Sequence, residues 1–234
     1  MAPSLPFFSR SSLSRKEGGV IAAHHTVMRR RGRVLPSNFT PVEYLQSSGT
    51  QYINTGVAAS AGISIGVKVQ RTANNSDWDG IVGSWTAEDN TLYACSIRYN
   101  GTAGTKLSPS YGGTPDSSTR PNISSGQLVE LVLTQGTFSL DGVVYCTWTP
   151  NVSALSSFPF FCFVENKGGS PWNGRYLKGR IYYLWIMRDG KLVFDAIPVR
   201  EGTTGYLYDF VSKSALGNAG TGTFTYGSDI DFNG

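Results

Sequence analysis

RIYYLWIMRDGKLVFD, residues 180–195, is the stretch on which the fold turns. Two runs of β-branched, aromatic and long apolar residues flank Asp189-Gly190. A two-residue hairpin loop of the I′ type needs positive φ at both central positions, and Asp-Gly supplies them with little strain. The stretch therefore predicts two antiparallel strands joined by a tight turn. Asp141-Gly142, between FSL and VVY, predicts a second hairpin, and Asn100-Gly101 marks a third with a longer loop.

Outward from these hairpins the same pattern repeats. GTQYIN, GISIGVKVQ, GIVGSW, TLYACSIRY, QLVELVLTQ, TFSLDGVVYCTW, FPFFCFVE and GTFTY are short strand-like runs bounded by Gly, Asn, Asp or Pro. In ISIGVKVQ, Ile63, Ile65, Val67 and Val69 share one face, a period of two. In QLVELVLT the set expected to be buried is Val129, Leu131 and Leu133. FPFFCFV is apolar on both faces and predicts a central strand covered on both sides. Trp148, Trp185, Tyr182 and Tyr183 fall inside strand runs and are expected in the core. No segment sustains a 3.6-residue apolar period over three turns. With 28 glycines among 234 residues and only 15% charged residues, the chain reads as all-β. It is an antiparallel two-sheet sandwich.

EYLQSSGTQYINTG near the start and RIYYLWIMRDGKLVFDAIPVREGTTGYLYDFVSKSALGNAGTGTFTYG near the end resemble concanavalin A-like (laminin G-like) jelly-roll domains. Such domains occur in bacterial surface proteins and in proteins of phages and prophages. The resemblance spans residues 42–227. It implies a jelly roll whose first and last strands lie side by side, with a short tail at 228–234. It also implies a non-catalytic structural or adhesion protein, displayed on a phage particle as a capsid-decoration or tail-associated protein. In that setting the sandwich would engage host-surface polysaccharide. A secreted or surface-attached bacterial carbohydrate-binding module is the alternative, and a glycan-cleaving enzyme of the same fold is the third reading.

Residues 1–41 are different in kind. They carry seven cations against one anion, whereas the remainder of a chain of net charge +4 carries −2. The positive charge thus belongs to an extended arm and not to the domain, which argues against a specific nucleic-acid binder. Arg29, Arg30, Arg31 and Arg33, with Phe7 and Phe8, are the expected anchoring residues of this arm. They would hold the chain to other virion proteins in an oligomeric or multi-copy assembly. No apolar run reaches the ~18 residues of a membrane span. The three cysteines, Cys95, Cys146 and Cys162, stand singly in apolar runs and are expected to be reduced and buried.

Both histidines, His24 and His25, lie in the arm, so the sandwich has none for a Ser-His-Asp or Cys-His arrangement. Asp77-Trp78-Asp79 and Glu88-Asp89 are the nearest acid pairs, and neither belongs to a strand of alternating carboxylates. No cofactor is expected. Asn75, Asp77 and Asp79 match positions 1, 3 and 5 of a calcium loop, but position 12 is Thr86 instead of Glu. The preferred reading of NNSDWDG is a polar turn whose side chains cap backbone amides. Trp78 and Trp172 stand in polar loops, SDWDG and GGSPWNGRY. They are the candidates for stacking on a sugar ring, with Asn173 and Arg175 beside them. The alternative for either tryptophan is a lid folded back on the core.

Overall fold

The computed structural model describes residues 33–88, 90–100 and 105–231. In chain order the strands are β1 (Thr40–Pro41), β2 (Leu45–Ser48), β3 (Ile53–Ala58), β4 (Ile63–Ala73), β5 (Gly80–Trp85), β6 (Cys95–Asn100), β7 (Lys106–Tyr111), β8 (Leu128–Thr134) and β9 (Thr137–Leu140). They continue as β10 (Val143–Thr147), β11 (Pro159–Cys162), β12 (Glu165–Lys167), β13 (Ser170–Pro171), β14 (Lys178–Arg188), β15 (Lys191–Glu201), β16 (Thr204–Asp209), β17 (Ser214–Leu216) and β18 (Thr225–Tyr226). Helix among the described residues is confined to two short 3-10 turns.

The first sheet runs β10-β9-β8-β4-β14-β15-β16-β17, with β1 on β15, and with β2 joining β14 to β18. The second runs β13-β12-β5-β11-β3, with β6 on β5 and β7 on β6. Pairing is antiparallel except between β12 and β5. The deciding hairpin is β14–β15, with Arg188 opposite Lys191 and positive φ at Asp189 (50°) and Gly190 (74°). Asp141 (48°) and Gly142 (80°) do the same for β9–β10. Ile63, Ile65, Val67 and Val69 all point into the core, as do Val129, Leu131 and Leu133. β11 lies between β3 and β5, where Phe160, Phe161 and Cys162 are buried. Trp185 and Tyr183 are buried too, and Trp148 packs against the core's edge. Tyr182, expected inside, is only half-buried and rests against Tyr44. Tyr182 follows the inward-facing Ile181 and so points outward, and the bulge between Ile181 and Tyr183 then resets the alternation so that Leu184 and Ile186 face the core.

Among the described residues, a charged link from Arg71 crosses the core. Arg71 continues the inward-facing set of β4, lies 4.2 Å from the Tyr99 ring of β6, and sits 4.0 Å from the Asp79 carboxylate. Burial pushes the Tyr99 hydroxyl up to about 12. Cys95, Cys146 and Cys162 are free and buried, and burial raises the Cys162 thiol to about 12, far from the range where thiolates react.

The last strand, β18, closes on β2, with Leu45 opposite Tyr226 and Gln46 opposite Thr225. The sandwich also takes in residues on both sides of 42–227. Thr40–Pro41 pairs with Val199–Arg200, and Phe39 packs 5.5 Å from Tyr208. Asn38 donates to Glu201. Asp229 accepts two hydrogen bonds from Arg200, 2.7 and 2.6 Å, and Ile230 N donates to Pro41 O. Phe7, Phe8, Arg29, Arg30 and Arg31 lie outside the described residues, and Arg33 is the first of those described.

Candidate functional site

The second sheet has a polar face turned away from the core. In β6, Cys95, Ile97 and Tyr99 point inward, which places Ser96 and Arg98 on the opposite side. In β7, Leu107 and Tyr111 point inward, and Ser108 and Ser110 share the outer face. Register sets Ser96 opposite Ser110 and Arg98 opposite Ser108. Gly83 of β5 faces Ser96. A Cβ at Gly83 would stand 2.5 Å from Ser96 Cβ and 3.0 Å from Glu165 Cγ, so only glycine lets Glu165 lean in over the strand.

Glu165, the first residue of β12, is fully buried. Its Oε1 accepts a 2.7 Å hydrogen bond from Trp85 Nε1, and its Oε2 lies 3.6 Å from Arg98 Nη1. Around this pair rings and guanidinium groups alternate. Arg98 stacks 4.4 Å from the Trp85 ring and 4.7 Å from the Trp78 ring. Arg175 stacks 3.4 Å from Trp172 and 5.4 Å from Trp78. Trp172 meets Trp85 edge-on at 5.2 Å, which closes the circuit, and Lys167 adds a cation 4.2 Å from Trp172. Contacts of this kind are worth about 0.5–1 kcal/mol where exposed and up to about 2 kcal/mol where desolvated, as between Arg98 and Trp85.

The loops that carry the outer members are fixed locally. The β12–β13 hairpin turns through Gly168 and Gly169, at φ 61° and 95°. Trp172 N then donates to Glu165 O, and Arg175 N to Trp172 O, around Gly174 at φ 77°. Trp78 N donates to Ser76 Oγ. The Asp79 carboxylate accepts from Asn75 N, Ser76 N and Ser76 Oγ. Burial raises the Asp79 carboxyl above its ordinary value, while those hydrogen bonds and Arg71 pull it down.

The structure thus brings together Trp78, Trp172 and Arg175 from two separate loops, while Asn173 beside them is exposed. Both tryptophans are half-buried and fold back over the sheet. The calcium triplet is divided: Asp77 is exposed, Asn75 Nδ2 donates to Tyr176 O, and Asp79 is the buried cap of its own turn. Trp85, Arg98 and Glu165 escape a sequence reading. Arg98 left a faint signal as a lone charge in an otherwise uncharged strand run, TLYACSIRY. Nothing local says that it meets an acid from β12.

No family model and no curated protein matches the sequence. Solved structures do match. A candidate carbohydrate-binding protein from Bacteroides ovatus ATCC 8483 aligns with 83% of this chain at 13% identity and a TM-score of 0.53. The chain has a concanavalin A-like (laminin G-like) jelly-roll fold. Domains LG4-5 of the mouse laminin α1 chain align with 81% of it, at 9% identity and a TM-score of 0.40. The jelly roll spans 62% of the first of these chains and 48% of the second. The polar face described above belongs to its smaller, seven-stranded sheet.

Proposed function

We propose that this protein is a non-catalytic, carbohydrate-binding jelly roll, held in a larger assembly by its N-terminal arm. The observation that carries the binding reading is the circuit Trp172–Arg175–Trp78–Arg98–Trp85. It presents the half-exposed groups of Trp172, Arg175 and Trp78 side by side on one face of a rigid sheet, backed by the buried Arg98 and Trp85. Apolar ring edges and fixed donors in one patch are what a sugar ring with its hydroxyls requires. The similarity to a candidate carbohydrate-binding protein agrees with this reading. The acids of the region are committed elsewhere: Glu165 to Arg98 and Trp85, and Asp79 to its turn. The paired carboxylates of glycoside hydrolysis are therefore not assembled from them.

On a glycan array, Trp172→Ala should weaken retention at least tenfold, because Arg175 loses the plane that orients it. Its edge contact with Trp85 means stability should also fall, by about 1 kcal/mol. If the unaltered protein retains no glycan, the reading fails.

Display on a phage particle is the setting we propose for the arm, whose +6 charge contrasts with the −2 of the rest of the chain. The compact unit begins at Val34, so that is where the arm should be cut. A chain starting at Val34 should melt cooperatively and stay monomeric by light scattering, whereas the full chain should form multi-copy assemblies. Equal masses for the two would overturn the anchoring role.

A further inference from the structure

Five side-chain atoms on the polar face of the smaller sheet are buried without a hydrogen-bond partner. They are the hydroxyls of Ser96, Ser108 and Ser110, Nε of Arg98 and Oε2 of Glu165. Each of these residues is 4% exposed or less. The register makes them neighbours: Ser96 faces Ser110, Arg98 faces Ser108, and Glu165 leans over Gly83 beside Ser96. Native proteins pair nearly all such groups with protein, water or ligand. A cluster of this density marks a place where something outside the chain is expected to complete the network.

The chemistry of the atoms narrows what that is. Arg98 Nε–H can only donate and Glu165 Oε2 can only accept. A hydroxyl does both: its oxygen accepts from Arg98 while its hydrogen is donated to Glu165. The three serine hydroxyls can take either role toward further hydroxyls nearby. A carboxylate or sulfate could accept from Arg98 but has no hydrogen for Oε2, and it would meet the Glu165 charge.

We propose that this serine-floored patch is a subsite for a neutral, hydroxyl-rich sugar, reached when Trp78 moves off Arg98. The proposal rests on the carbohydrate-binding reading above and gives it a ligand class and a set of residues. Trp78 fits the part of a cover. It sits in a short turn, is half-buried, and its ring lies over the guanidinium groups of Arg98 and Arg175.

The test uses the full chain and neutral hexasaccharides of glucose, mannose, galactose and N-acetylglucosamine, with oligogalacturonate as the acidic comparison. The paired change Ser108→Ala and Ser110→Ala should weaken binding of the best neutral sugar at least tenfold while leaving the melting temperature unchanged or raised. Removing a hydroxyl that has no partner in the free protein should not weaken the fold. Each single change gives the same readout should the pair fold poorly. The per-O-methylated form of the best sugar should not bind. Neutral sugar held equally well by wild type and variants would mean that water alone fills the patch, and the subsite fails while the carbohydrate-binding reading stands. Tighter binding of oligogalacturonate would overturn the ligand class. Binding of no sugar at all would bring down both.

Discussion

Gly66→Ala should lower the stability of the protein by about 3 kcal/mol, through overpacking of a site with no room to relax. Gly66 lies in β4 directly opposite Trp185 of β14, and the indole lies across it so closely that an added Cβ would fall within the ring. Trp185 is itself 1% exposed, so it has nowhere cheap to move. The pair sits inside the larger sheet, where β4 is flanked by both β8 and β14. In a urea titration the midpoint should fall with the slope m unchanged, the signature of lost stability without a changed denatured state. Shrinking the partner in the same chain, Trp185→Leu, should recover part of the loss. An alanine variant with the wild-type midpoint would show that the indole does not rest on Gly66.

Arg98→Leu should be as damaging, for an electrostatic reason. Glu165 is fully buried and Arg98 is its ionic partner, so removing the cation strands a carboxylate in a dry place. Breaking a buried pair from one side costs about 3–5 kcal/mol, far more than the pair contributes intact. The diagnostic is the double change. Glu165→Gln placed on Arg98→Leu removes the stranded charge and keeps an oxygen to accept from Trp85 Nε1, so most of the loss should return. If the double variant is no more stable than Arg98→Leu alone, the harm comes from lost packing against Trp78 and Trp85 and not from charge.

The strands were legible because their rules are local. Asp-Gly at 189–190 and 141–142 fixed two hairpins, and alternation in β4 and β8 named the inward residues correctly. Tyr182 was misplaced because its place in a strand run was read as burial, whereas alternation after the inward Ile181 sends it outward; the bulge that follows leaves no mark in IYYLWIM. The reading of the site was more partial. Trp78 and Trp172 stood out as aromatics in polar loops, and both do reach one patch. Arg98 and Glu165 did not stand out, since their meeting depends on β12 being laid against β5 through a parallel pairing. That pairing depends on Gly83 and on the chain reversal at Phe163, where φ is 67°. These are tertiary facts, and strand period carries no information about them.

The pairing of β2 with β18 has a mechanical consequence. The two strands run antiparallel, with Leu45 opposite Tyr226. A pull applied to the two ends of the sandwich would first have to free Thr40–Pro41 from β15 and Asp229 from Arg200, and would then open this seam from its tip, bond by bond, like a zipper.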